Sequence, residues 1–400
     1  MSSLVLLPLL FASVNEPATP DVEALAFSAE VVYTTTGDPI EGGYVTTNSN
    51  GKISGVGSGG TREGAIQVHS ITPGLVDLGS WMTGGRTSVE QANENPVWLS
   101  ALEGIDPYST AWERHLRNGV TTVLVGPTDD PVIGGLASMV KTGEGALEER
   151  TLAADIAVRG AIGTRPSAGN RTAGRFGGSN NHFVRRPTTR MGVEWVWRKS
   201  LYDAIAGERD VSREFEGAEE LRSVLRGERP LVIGAATTQD IRTALFLKRE
   251  FGIPNLVVQN AAEAWKEVDM VAASGAAVVL PPMEWDGRIG IDNAFHAWNT
   301  AALLNERGVT IAFCGNGATT PGNDLAAQPG LAMRGGLPMS AALAAVTINP
   351  ARLMGVDDRV GSIEIGKDAD LVLWSGPPFQ PTSRVVGVVL DGELVVDPRD

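Results

Sequence analysis

Short apolar runs rich in β-branched residues recur through the middle of this chain, separated by helical patterns. Thr121–Val125, Leu152–Val158, Leu231–Ile233, Asn255–Val258, Ala276–Leu280 and Val309–Phe313 are such runs. A strand with one wet face alternates apolar and polar residues, whereas near-continuous apolar runs belong to strands buried on both faces. Between them, Asp240–Phe251 sets Ile241, Ala244, Leu245 and Lys248 on one helical face. Ser340–Met354 reads as another helix through Ala341, Leu343, Ala344 and Leu353. Alternation of this kind implies a parallel sheet with helical crossovers.

The two ends of the chain have a different texture. Ala26–Tyr33, Gly43–Thr47 and Lys52–Gly57 alternate and turn like small antiparallel strands, with Asn50-Gly51 supplying the backbone a tight hairpin requires. At the far end Asp370–Trp374, Arg384–Leu390 and Glu393–Val396 do the same, with Asp391-Gly392 as a hairpin turn. Ahead of all this, residues 1–20 carry the apolar run Leu4–Ala12, too short to span a bilayer. It reads as a signal-peptide core without basic residues before it, or as a disordered N-terminus. Export to a periplasm or the outside is therefore expected over residence in the cytoplasm. No other segment reaches transmembrane length. A net charge of −14 argues against nucleic-acid partners and anionic membranes, and the single cysteine, Cys314, excludes an intramolecular disulfide and any multi-cysteine metal site.

Three stretches carry a family resemblance. Ile71-Thr72-Pro73-Gly74-Leu75-Val76-Asp77-Leu78-Gly79-Ser80-Trp81 resembles the first barrel strand of the amidohydrolase superfamily, in its imidazolonepropionase-like branch. There the pattern is Pro-Gly-aliphatic-aliphatic-Asp-x-His-x-His. Thr347-Ile348-Asn349-Pro350-Ala351 is similar to the superfamily's Thr-x-Asn-Pro-Ala helix, and Gly361–Leu371 to its exit segment, Gly-Ser-Ile-x-x-Gly-Lys-x-Ala-Asp-Leu. The resemblance implies an α/β fold in which a TIM-like (β/α)8 barrel over residues 71–355 is inserted in a small β-sandwich formed by both termini, residues 21–70 and 356–400. The apolar runs supply six barrel strands and Ile71–Trp81 a seventh; the eighth is unassigned.

The resemblance also says where a catalytic metal would be held, and each of those positions is altered. The first-strand histidine positions are Gly79 and Trp81. His-Ala-His is replaced by Gly234-Ala235-Ala236, a later histidine by Asn260, and the aspartate that binds metal and takes a proton from water by Asn316. Thr164 stands where a bridging carboxylate is expected. A hydrolytic zinc or iron site needs about three imidazole or carboxylate ligands. Gly and Ala offer none, and Asn is no general base near neutral pH. Asp77 survives from the motif as a mark of ancestry. Other residues at the predicted mouth are Cys314, at a strand end without an obvious histidine beside it, Trp285, and His182 in a long Gly- and Arg-rich loop over 163–190. Glu263 and Trp265 resemble the family's Glu-aromatic pair, and read equally as capping and packing.

The expectation is thus an amidohydrolase-fold protein with an emptied metal site and no cofactor: a pseudoenzyme, or a structural or regulatory subunit. It would form a homo-oligomer, or a hetero-oligomer with an active amidohydrolase paralogue. Two alternatives stand beside it. One is a hydrolase of non-peptide C–N bonds using relocated or metal-free chemistry. The other is a binder of a small molecule at the mouth, with Trp81 and Trp285 lining an apolar pocket.

Overall fold

The computed structural model describes residues 23–60, 62–79, 90, 93–167, 186–283, 288–289, 292–315 and 325–397. Its strands begin with β1 (Glu23–Val32), β2 (Ile40–Asn48), β3 (Ile53–Ser58) and β4 (Ile66–Pro73). There follow β5 (Leu75–Asp77), β6 (Val120–Val125), β7 (Ile133–Lys141), β8 (Thr151–Ala161), β9 (Leu231–Gly234), β10 (Leu256–Gln259) and β11 (Ala277–Leu280). A small hairpin, β12 (Arg288–Ile289) and β13 (Ala294–Phe295), precedes β14 (Ile311–Phe313). Last come β15 (Leu371–Trp374), β16 (Val385–Leu390) and β17 (Glu393–Val396).

The helices among the described residues are α1 (Thr110–Arg117), α2 (Leu147–Arg150), α3 (Thr164–Ser167), α4 (Arg190–Gly207), α5 (Ala218–Leu225) and α6 (Thr238–Phe251). They continue as α7 (Val268–Ser274), α8 (Thr300–Glu306), α9 (Gln328–Arg334), α10 (Met339–Ala344) and α11 (Ile348–Leu353).

Both chain ends build one seven-stranded sheet in the order β17-β16-β15-β4-β1-β2-β3. The second sheet has eight strands in the order β14-β11-β10-β9-β8-β7-β6-β5 and curls into the TIM-like barrel. Its strands divide their side chains two ways. Leu231, Ile233, Leu256, Val258, Val278, Leu280, Ile311 and Phe313 pack outward into the core shared with the helices. Their neighbours Val232, Val257, Val279 and Ala312 fill the interior together with Ala157, Met139 and Leu124. With both faces covered, the period-2 alternation of a strand leaves no polar side, which is why these segments read as unbroken apolar runs.

Three sequence expectations are corrected in detail. The motif Ile71–Trp81 serves both sheets: its first residues end β4, and after Gly74 the chain enters the barrel as β5. Gly74 is required there, because a Cβ would come within 2.7 Å of Thr121 Cγ2. The missing eighth strand is β7, antiparallel to β6 and β8. A strand that returns by a hairpin breaks the strand–helix alternation used to find the others. The single helix expected over Ser340–Met354 is two, α10 and α11. Between them the carbonyls of Ala345 and Val346 turn away from helical partners to accept from Phe313 N (3.1 Å) and Val76 N (2.8 Å). They thereby satisfy the backbone of β14 and β5, the two edges of the barrel sheet.

One buried ion cluster ties barrel to terminal sheet. Lys141, at the end of β7 and 3% exposed, reaches Asp368 Oδ2 (2.7 Å), Asp370 Oδ1 (3.1 Å) and Asp391. Asp368 also accepts from Lys52 and from Arg359 (2.7 Å). Burial would raise the Asp368 carboxyl, but Lys141 and these donors hold it at about 2.

Candidate functional site

The site to build is the rim at the C-terminal ends of the parallel barrel strands, where such barrels place their chemistry. β5 ends in Asp77, which is fully buried. Its Oδ1 accepts from Gly79 N (2.8 Å) and Gly315 N (3.1 Å), and Oδ2 from Gly315 N (3.2 Å). The carboxylate therefore bridges the rim across the seam between β5 and β14, above the two bonds made by residues 345 and 346. Burial outweighs these N–H groups and pushes the Asp77 carboxyl up to about 7.

Gly79, two residues on, packs on Cys314. A Cβ at 79 would lie 2.8 Å from Cys314 Sγ and closer still to Cys314 Cβ. Cys314 is 2% exposed, with Sγ 3.4 Å from Leu280 O and 3.8 Å from Asn260 Oδ1. Burial, reinforced by the Asp77 charge, drives its thiol well above the ordinary range. A thiol in that state is not a nucleophile.

The centre of the rim is polar. Arg159, on β8, is two residues beyond the interior-facing Ala157 and so points into the barrel; it is 6% exposed. Its Nε donates to Gln259 Oε1 (2.9 Å), Nη2 to Asp129 Oδ1 (2.7 Å) and Nη1 to the Pro127 carbonyl. Gln259, last residue of β10 and 1% exposed, passes the contact on through Nε2 to Leu78 O (2.7 Å). Asp129 Oδ2 in turn accepts from Asn260 Nδ2 (3.0 Å). Gly234, at the end of β9, leaves the room Asp129 occupies: a Cβ there would sit 2.6 Å from Asp129 Oδ1. Ala236 contributes a backbone carbonyl, accepting from Glu263 N (3.1 Å).

A second polar cluster lies at the same end of the barrel. Thr164 Oγ1 donates to Asp292, which also takes Arg190 Nη2 (2.7 Å). Arg190 Nε reaches Asp240 Oδ1 (2.8 Å), whose Oδ2 accepts from Thr237 Oγ1 (2.6 Å). The loop expected over 163–190 is thus anchored at both ends, by α3 and by the first residue of α4. Glu263 caps α6, accepting from Thr238 N (2.9 Å) and Thr238 Oγ1 (2.7 Å), and Trp265 Nε1 donates to Phe295 O (2.9 Å).

The structure gathers Asp77, Gly79, Gly234, Asn260 and Cys314 around one centre, and puts Thr164 in the second cluster. Trp81, His182, Trp285 and Asn316 lie outside the described residues, as does the N-terminal run. Sequence reasoning missed Arg159, Asp129, Asp240 and Asp292. One signal for the first was present, a lone charge in the apolar run Ile156-Ala157-Val158-Arg159-Gly160-Ala161. Among the described residues no three His, Cys, Asp or Glu side chains converge as a metal ion would require. No helix among them is long and apolar enough to cross a membrane.

Comparison with known proteins agrees with this architecture. The crystal structure of an amidohydrolase from Thermotoga maritima MSB8 superposes with a TM-score of 0.78 at 30% identity, over 94% of this chain and 100% of that one. An adenosine deaminase from Xanthomonas campestris, solved with bound zinc, shares the fold at a TM-score of 0.53 and 17% identity, over 95% of this chain and 94% of that one. The amidohydrolase tasK of Hapsidospora irregularis is 25% identical over 369 residues, 82% of this chain, which spans 36% of that protein's length. An imidazolonepropionase from Symbiobacterium thermophilum is 47% identical over 68 residues, 16% of each chain. The Amidohydrolase family model matches residues 294–395. Taken with the barrel and the sheet of both termini, a likeness that runs the length of the Thermotoga protein places this chain in the amidohydrolase family.

Proposed function

We propose that this chain is an amidohydrolase-fold protein that does not perform metal-dependent hydrolysis and serves as a structural or regulatory subunit. The observation that carries the reading is what fills the ligand positions. Cys314 takes the space of any side chain at 79, and Asp129 takes the space of any side chain at 234. A donor set of Gly, Ala, an engaged Asn and a Thr bound to Asp292 does not fit a hydrolytic metal. Without one, water keeps a pKa of about 15.7 instead of about 7. Metal-free chemistry has little to work with among the described residues: the Cys314 thiol is locked in its neutral form, and Asp77 is sealed from solvent.

A subunit role needs a face for pairing, and α4 offers one. Met191, Trp195, Tyr202 and Ile205 recur on one side of this 18-residue helix and are 77, 62, 51 and 45% exposed. An apolar stripe of that kind marks an interaction surface. Arg198 falls within the stripe and is paired with Glu194 and Glu250, while Lys199 and Arg213 pair with Asp203. The stripe is therefore open to a partner as acidic as this chain.

Elemental analysis of the purified protein, after incubation with zinc, iron, manganese, nickel and cobalt in turn, tests the central claim. Well under one equivalent of each is expected. A stoichiometric metal whose removal by chelator abolishes hydrolysis of a C–N bond would overturn it. For the pairing, Trp195→Asp should dissociate the native assembly in sedimentation velocity, and a native protein that runs as a monomer alone and with its paralogue refutes that part.

A further inference from the structure

The barrel rim holds a cation of its own. Arg159 enters from an interior-facing position of β8, and the chain just after β6, two strands along the sheet, makes way for it: a Cβ on Gly126 would lie 3.0 Å from Arg159 Cδ. Three of its nitrogens end on three acceptors, the Pro127 carbonyl, Asp129 and Gln259. Asp129 carries the link to Asn260 and Gln259 carries it to Leu78. One guanidinium therefore ties together the ends of β5, β6, β8 and β10. We propose that the Arg159 guanidinium is the structural cation of this rim, neutralised by Asp129, and that it holds the strand ends together with no metal ion.

The chemistry favours this group for the task. A guanidinium is planar, presents five donors in a fixed fork, and keeps its charge at any pH a protein meets. Chelators cannot remove it and no ligand dissociates from it. A divalent ion brought to the same acceptors would meet a fixed positive charge at contact distance, in a medium where such repulsion is weakly screened. The proposal deepens the reading of a metal-free rim, yet the two fail separately: metal content decides that reading, and chemical rescue decides this one.

The test is thermal unfolding of the full chain as Arg159→Ala, with and without millimolar N-ethylguanidinium, using N-ethylurea as an uncharged control of similar shape. Removing one member of a buried pair is costly, and the melting temperature should fall by roughly 4–6 °C. N-ethylguanidinium should recover a third or more of that loss, the urea none, and neither should move the native protein. A variant as stable as the native chain, or a loss that the guanidinium compound does not recover, overturns the proposal. Should R159A fail to fold, Asp129→Ala carries the same question in reverse. It leaves the guanidinium in place, and acetate should restore stability to it and not to the native protein; failure of acetate to do so also overturns the proposal.

Discussion

Restoring even one carbon at position 79 should cost stability, and the reason is specific enough to be reversed. Packed carbon atoms rest about 3.5–4.0 Å apart. In Gly79→Ala the new methyl would lie 2.8 Å from Cys314 Sγ and nearer still to Cys314 Cβ. Neither backbone is free to retreat, because Gly79 N and Gly315 N both donate to the Asp77 carboxylate. Overpacking in a closed core costs ~1–3 kcal/mol, and with both sides pinned the upper end, about 3 kcal/mol, is expected. Cys314→Gly removes the offending atoms, whereas Cys314→Ala keeps the Cβ. A double-mutant cycle from urea unfolding should therefore give a favourable coupling of about 2 kcal/mol for G79A with C314G, and much less for G79A with C314A. The same logic says that Gly79→His recruits zinc neither alone nor with C314A. If G79A unfolds within ~0.5 kcal/mol of the native protein, or if the two double variants couple equally, the steric account of this position is wrong.

Two further perturbations probe buried charge. With its carboxyl raised from 3.8 to about 7, Asp77 binds more protons folded than unfolded between those values, so its contribution falls as pH rises through that window and is flat above it. Three units at ~1.36 kcal/mol each make about 4 kcal/mol as an order of magnitude. His115 and His296, buried and lowered to about 4, slope the other way between 4 and 6.5, because the unfolded chain binds their protons first. The Asp77 part is isolated as the pH dependence of the stability difference between native and Asp77→Asn, and identical pH profiles would refute it. At the other ion cluster, Lys141→Met leaves Asp370 buried without its cation and Asp368 with only Lys52 and Arg359, and should cost about 3–5 kcal/mol by urea unfolding; a loss under ~1 kcal/mol would show the carboxylates re-solvated.

The fold was legible because its strands are buried on both faces and its exit segment is long and distinctive. β7 was not, since Ile133-Gly134-Gly135-Leu136 has neither the β-branched density nor the helical flank of the parallel strands. The break between α10 and α11 was hidden for another reason: periodicity reads helical faces, but which carbonyls are taken by strands 32 and 270 residues away is a tertiary fact. At the rim, the sequence shows which side chains are absent and not what stands in their place. Gly79 and Gly234 are equally glycine on paper, yet one is small for the sake of a thiol and the other for the sake of a carboxylate. Arg159 stood in plain view as a charge within an apolar run, and period 2 from Ala157 would have turned it inward.

The sheet shared by both termini sets an order on synthesis. β4 pairs with β15, and Trp374 Nε1 donates to Thr72 Oγ1 (3.1 Å) across 302 residues of chain. At ribosomal speeds of about 5–20 residues per second, β1–β4 wait roughly a quarter of a minute to a minute for their remaining partners. Until β15 emerges, β4 offers an unpaired edge to any neighbouring polypeptide, so this protein should depend on chaperones that shield nascent strands more than a barrel whose paired strands are close in sequence would.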